Sequence, residues 1–143
     1  MISHTSKYAI RALIYLALYA SPEKKAGIKR IAEELDIPSP FLGKILQVLV
    51  KHQLLASTKG PHGGFCLSKP AMDIPLMEII GIIDGKDILN DCVIRTAPCD
   101  QNQPCSMHHK LAPLRAEIKR LFSTETIADL VSEFREGNES IRI

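Results

Sequence analysis

The sequence predicts a mainly α fold with one small β-hairpin, an α+β class, followed by a long helical appendage. Three observations predict it. Apolar residues recur at helical spacing around residues 5–20, 40–52 and 111–122. The glycine- and proline-rich "KGPHGG" at 59–64 separates two short β-prone runs. A strong helix-start pair, "SP" at 39–40, follows a short helix and the turn "DIP".

The elements follow in order. Ile10, Leu13, Ile14, Ala17 and Leu18 form one stripe of a first helix over 5–20, and Ala9, Ala12, Leu16 and Tyr19 form a second. A helix apolar on two faces is buried between partners. "SPEKKAG" ends it. A second, short helix over 29–35 turns Ile31, Ala32 and Leu35 inward. Ser39 is the expected N-cap of a third helix over 40–52, with Pro40 as its first residue and Phe41, Leu42, Ile45, Val48 and Leu49 apolar. Two short helices joined by a tight turn make a helix-turn-helix. "LLAST" and "FCLS" then read as the strands of a wing. Residues 1–72 are thus expected to form a winged helix-turn-helix domain.

Residues 73–143 are expected to hold an irregular loop and a helical dimerisation region. A helix begins near Pro75 with Leu76, Ile79, Ile80 and Ile83 on one face, and Gly85 ends it. A loop spans about 86–105. A long helix follows, with Pro113 either opening it or kinking it. "TIAD" at 126–129 reads as a capping box for a last helix to Arg135, and "EGNESIRI" reads as a frayed tail. Leu114, Ile118, Leu121 and Phe122, with part of helix one, exceed what a small winged domain can cover. They are the expected seam of a homodimer, in which helix one also joins the dimer core.

Charge points to the partner. The net charge is +2, but residues 1–72 carry +6 and residues 73–143 carry −4. Residues 37–72 contain no Asp or Glu, against Lys44, Lys51, Lys59 and Lys69. An acid-free basic stretch suits a polyanion, and it coincides with the third helix and the wing. The expected partner is double-stranded DNA. Ser39, Pro40, Gly43 and Lys44 would meet the major groove, and Lys59 and His62 the minor groove. Ser6, Lys7, Lys51 and Lys69 are the phosphate candidates. Trp is absent and aromatics are 5%, which argues against a base-stacking platform. No apolar run reaches the roughly 18–20 residues of a membrane span. Lys7 and Arg11 interrupt the N-terminal apolar stretch, so it reads as a structural helix of a cytoplasmic protein and not as a signal peptide. No nucleotide-binding glycine loop, HExxH or hydrolase motif occurs, so no enzyme is expected.

The loop supplies the chemistry. Its spacing is Cys92, six residues, Cys99, five residues, Cys105, two residues, His108. Three thiols and an imidazole suit a thiophilic centre. Structural zinc accepts that donor set but favours a tight C-x₂₋₄-C pair, which is missing. Wide spacing suits an iron–sulfur cluster, so the cluster ranks first, zinc second and metal-free redox thiols third. Cytoplasmic thiols are normally reduced, which disfavours a structural disulfide. Cys66, in the second wing strand, reads as a small buried hydrophobe. Asp87, Asp91 and Asp100 read as solvated loop charge.

Three stretches carry a resemblance: "SKYAIRALIYLA", "IAEELDIPSPFLGKILQVLVKHQLLASTKGPHGGFCLSKP" and the three-cysteine loop. Together they resemble the bacterial winged-helix iron–sulfur cluster regulators, the IscR-like, NsrR-like and RirA-like transcriptional repressors. The resemblance implies a homodimer with a long helix packing across the two-fold, and DNA binding governed by the cluster. It implies that Cys92, Cys99 and Cys105 are the cluster thiolates and that His108 completes the site. In the nitric-oxide sensors of this kind, an acidic residue before the first-helix tyrosine is the fourth ligand. Here Lys7 precedes Tyr8, which favours His108. A two-iron cluster is favoured over a four-iron one, though a first gap of six residues and not five leaves that choice open. The cluster need not survive purification. His62 departs from the usual wing, so base preference is not inherited. The alternatives are a zinc-stabilised winged-helix interaction module and a metal-free thiol redox regulator.

Overall fold

Ser3 opens the first helix, its hydroxyl accepting the Ser6 N–H at 3.0 Å. The computed structural model describes residues 1–136, and most of the expected frayed tail lies outside the described residues. The elements are α1 (His4–Tyr19), α2 (Ile28–Leu35), α3 (Ser39–Lys51), β1 (Leu55–Thr58), β2 (Gly64–Leu67), α4 (Leu76–Ile83), α5 (His108–Thr124) and α6 (Ile127–Arg135). Single 3₁₀ turns at Ala71–Asp73 and Ile88–Asn90 link them.

α1 is the centre of the fold. Ala9, Ala12, Leu13 and Leu16 are wholly buried, and α2, α3, α4 and α6 pack around it. This explains its two apolar stripes. Asp36, in the left-handed conformation at φ 53°, closes α2 and starts the turn into α3. α3 begins one residue earlier than expected. Pro38 is its cap, because the Pro38 carbonyl already accepts the Leu42 N–H at 2.9 Å, and Ser39 makes no capping bond. Leu42, Ile45, Leu46 and Leu49 face the core, whereas Phe41 and Val48 do not and stay 40% and 38% exposed.

β1 and β2 pair antiparallel, with Leu55 opposite Leu67 and Thr58 opposite Gly64. Ala26 adds a third edge, exchanging two backbone hydrogen bonds with Phe65 at 2.8 and 3.0 Å. Gly64 permits that approach. At its φ of 146° a Cβ would lie 2.4 Å from the Ala26 carbonyl oxygen. Cys66 is buried and free, as expected of a small hydrophobe.

Gly85, at φ 92°, follows the end of α4. α6 carries the expected capping box, Thr126 with Asp129. It returns to α1 because Leu76 donates to the Glu125 carbonyl and Ile127 to that of Ile74, at 2.9 and 3.0 Å. Ile74, Ile79, Ile127 and Val131 therefore join the same core as the winged elements. α5 starts at His108, so Pro113 lies inside it. The missing proline N–H deprives the His109 carbonyl of its usual donor four residues on. α5 has no buried residue. Among the described residues no helix is long and apolar enough to cross a membrane.

Candidate functional site

Two surfaces carry the candidate residues. The first is α3 with the wing. Pro40, Phe41, Lys44, Gln47, Val48 and Lys51 form one exposed stripe of α3, and Lys59 and His62 are exposed at the hairpin tip. Ser39 is half-buried at the start of the helix. Gly43 is half-buried and faces α2, where a Cβ would come 3.1 Å from the Ile28 side chain. Its absent side chain serves helix packing as well as any groove. Lys7 is exposed at the start of α1. Gln47 was not singled out in the sequence, because a lone amide carries no spacing signal.

Two expected phosphate candidates are engaged within the chain. Ser6 is wholly buried, and its hydroxyl donates to Asp84 at 2.8 Å. It has neither the exposure nor the free proton to meet DNA. Lys69 is bonded to both oxygens of Glu78 at 2.9 Å, so a carboxylate from α4 already offsets its charge.

Asp84 was also missed. It accepts from the Ser3 N–H at 2.9 Å and from the hydroxyls of Ser3 and Ser6. Burial pushes its pKa up, but the hydrogen bonds from Ser3 and Ser6 outweigh it and hold the carboxyl below its ordinary range. It ties the end of α4, where the cysteine segment begins, to the start of α1.

The second surface is that segment. Over residues 91–106 every residue is exposed except Cys92, Cys99 and Cys105, which are half-buried. The backbone arranges this. Cys99 N–H donates to the Asn90 carbonyl at 2.8 Å and Cys92 N–H to that of Ala97 at 3.4 Å, closing a loop between the two thiols. Cys92 Sγ lies 3.7 Å from Cys105 Sγ, and Cys99 Sγ lies 3.1 Å from His108 Nδ1. His109 is exposed, and its ring meets that of His108 edge-on. The amides of Arg95 and Ile94, directed at the sulfur, lower the Cys92 pKa from its ordinary value. The four candidates thus form two close pairs. Among the described residues no three His, Cys, Asp or Glu side chains gather closely enough to hold a single ion. Asp87, Asp91 and Asp100 are exposed.

α5 braces the segment. Arg115 donates to the Asp91 carbonyl at 2.6 Å, and Lys119 bonds the Asn90 side chain. On a neighbouring face of this helix, Leu114 and Leu121 are 60% and 48% exposed. Ile118 is half-buried between them, while Phe122 packs against the core.

Comparison with known proteins agrees with this architecture. A family model described as "Rrf2: Iron-dependent Transcriptional regulator" matches residues 2–133. A candidate HTH-type transcriptional regulator of Aquifex aeolicus is 34% identical over 134 residues, covering 92% of each chain. The solved structure of CymR, the global cysteine regulator of B. subtilis, superposes with a TM-score of 0.77 at 22% identity. That match covers 93% of this chain and 97% of CymR. The structure of T. potens IscR superposes with a TM-score of 0.75 at 21% identity, covering 99% and 93%.

Proposed function

Because the chain belongs to the Rrf2 family of transcriptional regulators, we propose that an iron–sulfur cluster held by Cys92, Cys99, Cys105 and His108 governs how a homodimer of this chain reads DNA. The family is one of regulators and not of enzymes. The observation that carries the cluster is the fold of the loop around its donors. In an otherwise exposed segment only the three thiols are half-buried, and they pair as Cys92 with Cys105 and Cys99 with His108. Two pairs suit an object with two metal atoms, so a two-iron cluster is favoured. A single zinc ion needs four donors around one point, an arrangement these residues do not adopt. When bound, the cluster supplies a redox-sensitive and losable centre.

The chain's own residues relay its state. His108 is the first residue of α5, so the donor set grips the helix whose Leu114, Ile118 and Leu121 face outward. Arg115 and Lys119 hold the same helix to the loop backbone. Covering that apolar stripe requires a second copy of the chain, and the resulting dimer brings two winged domains to two half-sites. Ordering of the loop then biases one dimer geometry over another, and with it the half-site spacing. A protein acting on DNA in this way works in the cytoplasm.

Anaerobic purification with iron, sulfide and zinc analysis tests the reading. The wild type is expected to be red-brown, Cys99→Ala colourless, and His108→Ala altered or less stable, since solvent can fill one open position. Iron and sulfide binding by Cys99→Ala at wild-type levels would overturn the cluster. A metal-free thiol regulator is the second reading, favoured by the 3.7 Å approach of Cys92 to Cys105 and by the fold shared with a cysteine regulator. It predicts a colourless wild type whose DNA affinity changes with thiol oxidation.

A further inference from the structure

We propose that Phe41 is a base-reading residue. Its ring meets the C5 methyl of a thymine in the major groove, and the operator half-site carries a thymine at the first turn of α3. The inference rests on α3 being the helix that enters the groove.

Three observations carry it. Phe41 lies on the exposed stripe of α3, one turn from Lys44, although its apolar neighbours Leu42, Ile45 and Leu46 are at most 3% exposed. Its exposure is therefore a property of its face of the helix and not of a loosely packed helix. Its ring is also braced from behind. Tyr8 of α1 meets it edge-on, with centroids 5.7 Å apart and planes at 85°. Arg11 in turn sits 5.9 Å from the Tyr8 ring and donates to the Leu35 carbonyl at 2.6 Å. Tyr8 and Arg11 are thus positioning residues. A ring held this way keeps its outward edge in place and loses little rotamer freedom on binding. Finally, Val48 stands seven residues on, along the same edge of the helix, and is exposed too. Two turns of helix separate them, about 10 Å, or roughly three base-pair steps.

The chemistry selects the base. In the major groove only thymine offers an apolar group, while the other bases present donors and acceptors. A phenyl ring over cytosine, adenine or guanine shields a polar edge from water without bonding to it. Over thymine it buries a methyl. Lys44 beside it provides a charged donor for a neighbouring base edge or phosphate, so the apolar contact adds sequence preference to an electrostatic one.

The test begins by selecting duplexes from a random library with the full chain. Each thymine of the selected operator is then replaced singly by deoxyuridine, which removes only the methyl. One thymine per half-site is expected to be methyl-sensitive, with about fourfold weaker binding on its replacement and about fifteenfold when both half-sites are changed. Phe41→Ala is expected to bind the thymine and uracil duplexes equally, while Lys44→Ala keeps the methyl preference at lower affinity. Phe41→Leu, which retains apolar bulk without the ring edge, covers the case in which the alanine variant fails to fold, and its discrimination is expected to be reduced. A wild type indifferent to every replacement, or a folded Phe41→Ala that still prefers thymine, overturns the proposal. Enrichment of no duplex at all overturns the premise that α3 reads DNA, and this inference falls with it.

Discussion

Asp84→Ala is expected to destabilise the protein by about 2–4 kcal/mol. The carboxylate gathers three hydrogen bonds, from the Ser3 N–H, the Ser3 hydroxyl and the Ser6 hydroxyl. Ser3 is half-exposed, so water replaces its partner and the loss there is about 1 kcal/mol. Ser6 is wholly buried. Its hydroxyl loses its acceptor without gaining water, which costs about 1–3 kcal/mol. At this chain length the sum lowers the melting temperature by about 6–12 °C. The assay is far-UV circular dichroism during thermal and denaturant unfolding, at one protein concentration because association shifts apparent stability. The pH dependence has a defined sign. The folded pKa of Asp84 is depressed, so its contribution is complete above the ordinary carboxylate pKa and fades as pH falls through the lower folded value. The gap between wild type and variant should therefore be steady from pH 8 to about 5 and narrow in strong acid. Ser6→Ala combined with Asp84→Ala should cost less than the two changes added. A gap under about 0.5 kcal/mol near neutrality, a size usual for surface changes, would refute the reasoning. So would a gap unchanged at the most acid pH.

Ile118→Asp puts an unpaired charge on the apolar stripe of α5. It should weaken the dimer by about 3 kcal/mol or more, and a variant still dimeric in sedimentation would put the seam elsewhere. Lys59→Ala should lower the salt slope of DNA binding by about 1 per half-site. Lys69→Ala, whose partner is Glu78, should leave that slope unchanged. Gly64→Ala forces a Cβ against the Ala26 carbonyl oxygen at a positive φ. It should cost about 2–3 kcal/mol in thermal unfolding without altering the thiol segment.

The candidate site was legible in the sequence as a spacing and not as a geometry. Cys92, Cys99, Cys105 and His108 stood out because three thiols and an imidazole within one polar stretch are chemically improbable without a shared task. Which thiol approaches which partner did not follow. Cys105 is thirteen residues from Cys92, and the pairing depends on how the backbone closes around Asn90 and Ala97. The basic stretch was legible in the same partial way. Local composition identified Lys59 and Lys69 alike, but Lys69 pairs with Glu78, nine residues on in α4.

By itself the sequence determined the helices, the wing and their order. Hydrophobic period, cap residues and turn glycines act over a few residues, and a linear reading captures forces of that range. The two stripes of α1, the wing tip at 59–63, Gly85 after α4 and the Thr126 capping box are all of this kind. Only the tertiary structure decided what depends on contacts distant in the chain. It buried Ser6 against Asp84, 78 residues away, and brought α6 back onto α1 through backbone pairing of residues 74–76 with 125–127. It also turned Phe41 outward from a helix whose apolar count alone would have buried it. Periodicity records that a face is apolar, but the neighbour covering that face, or its absence, is settled only when the packed elements compete for it.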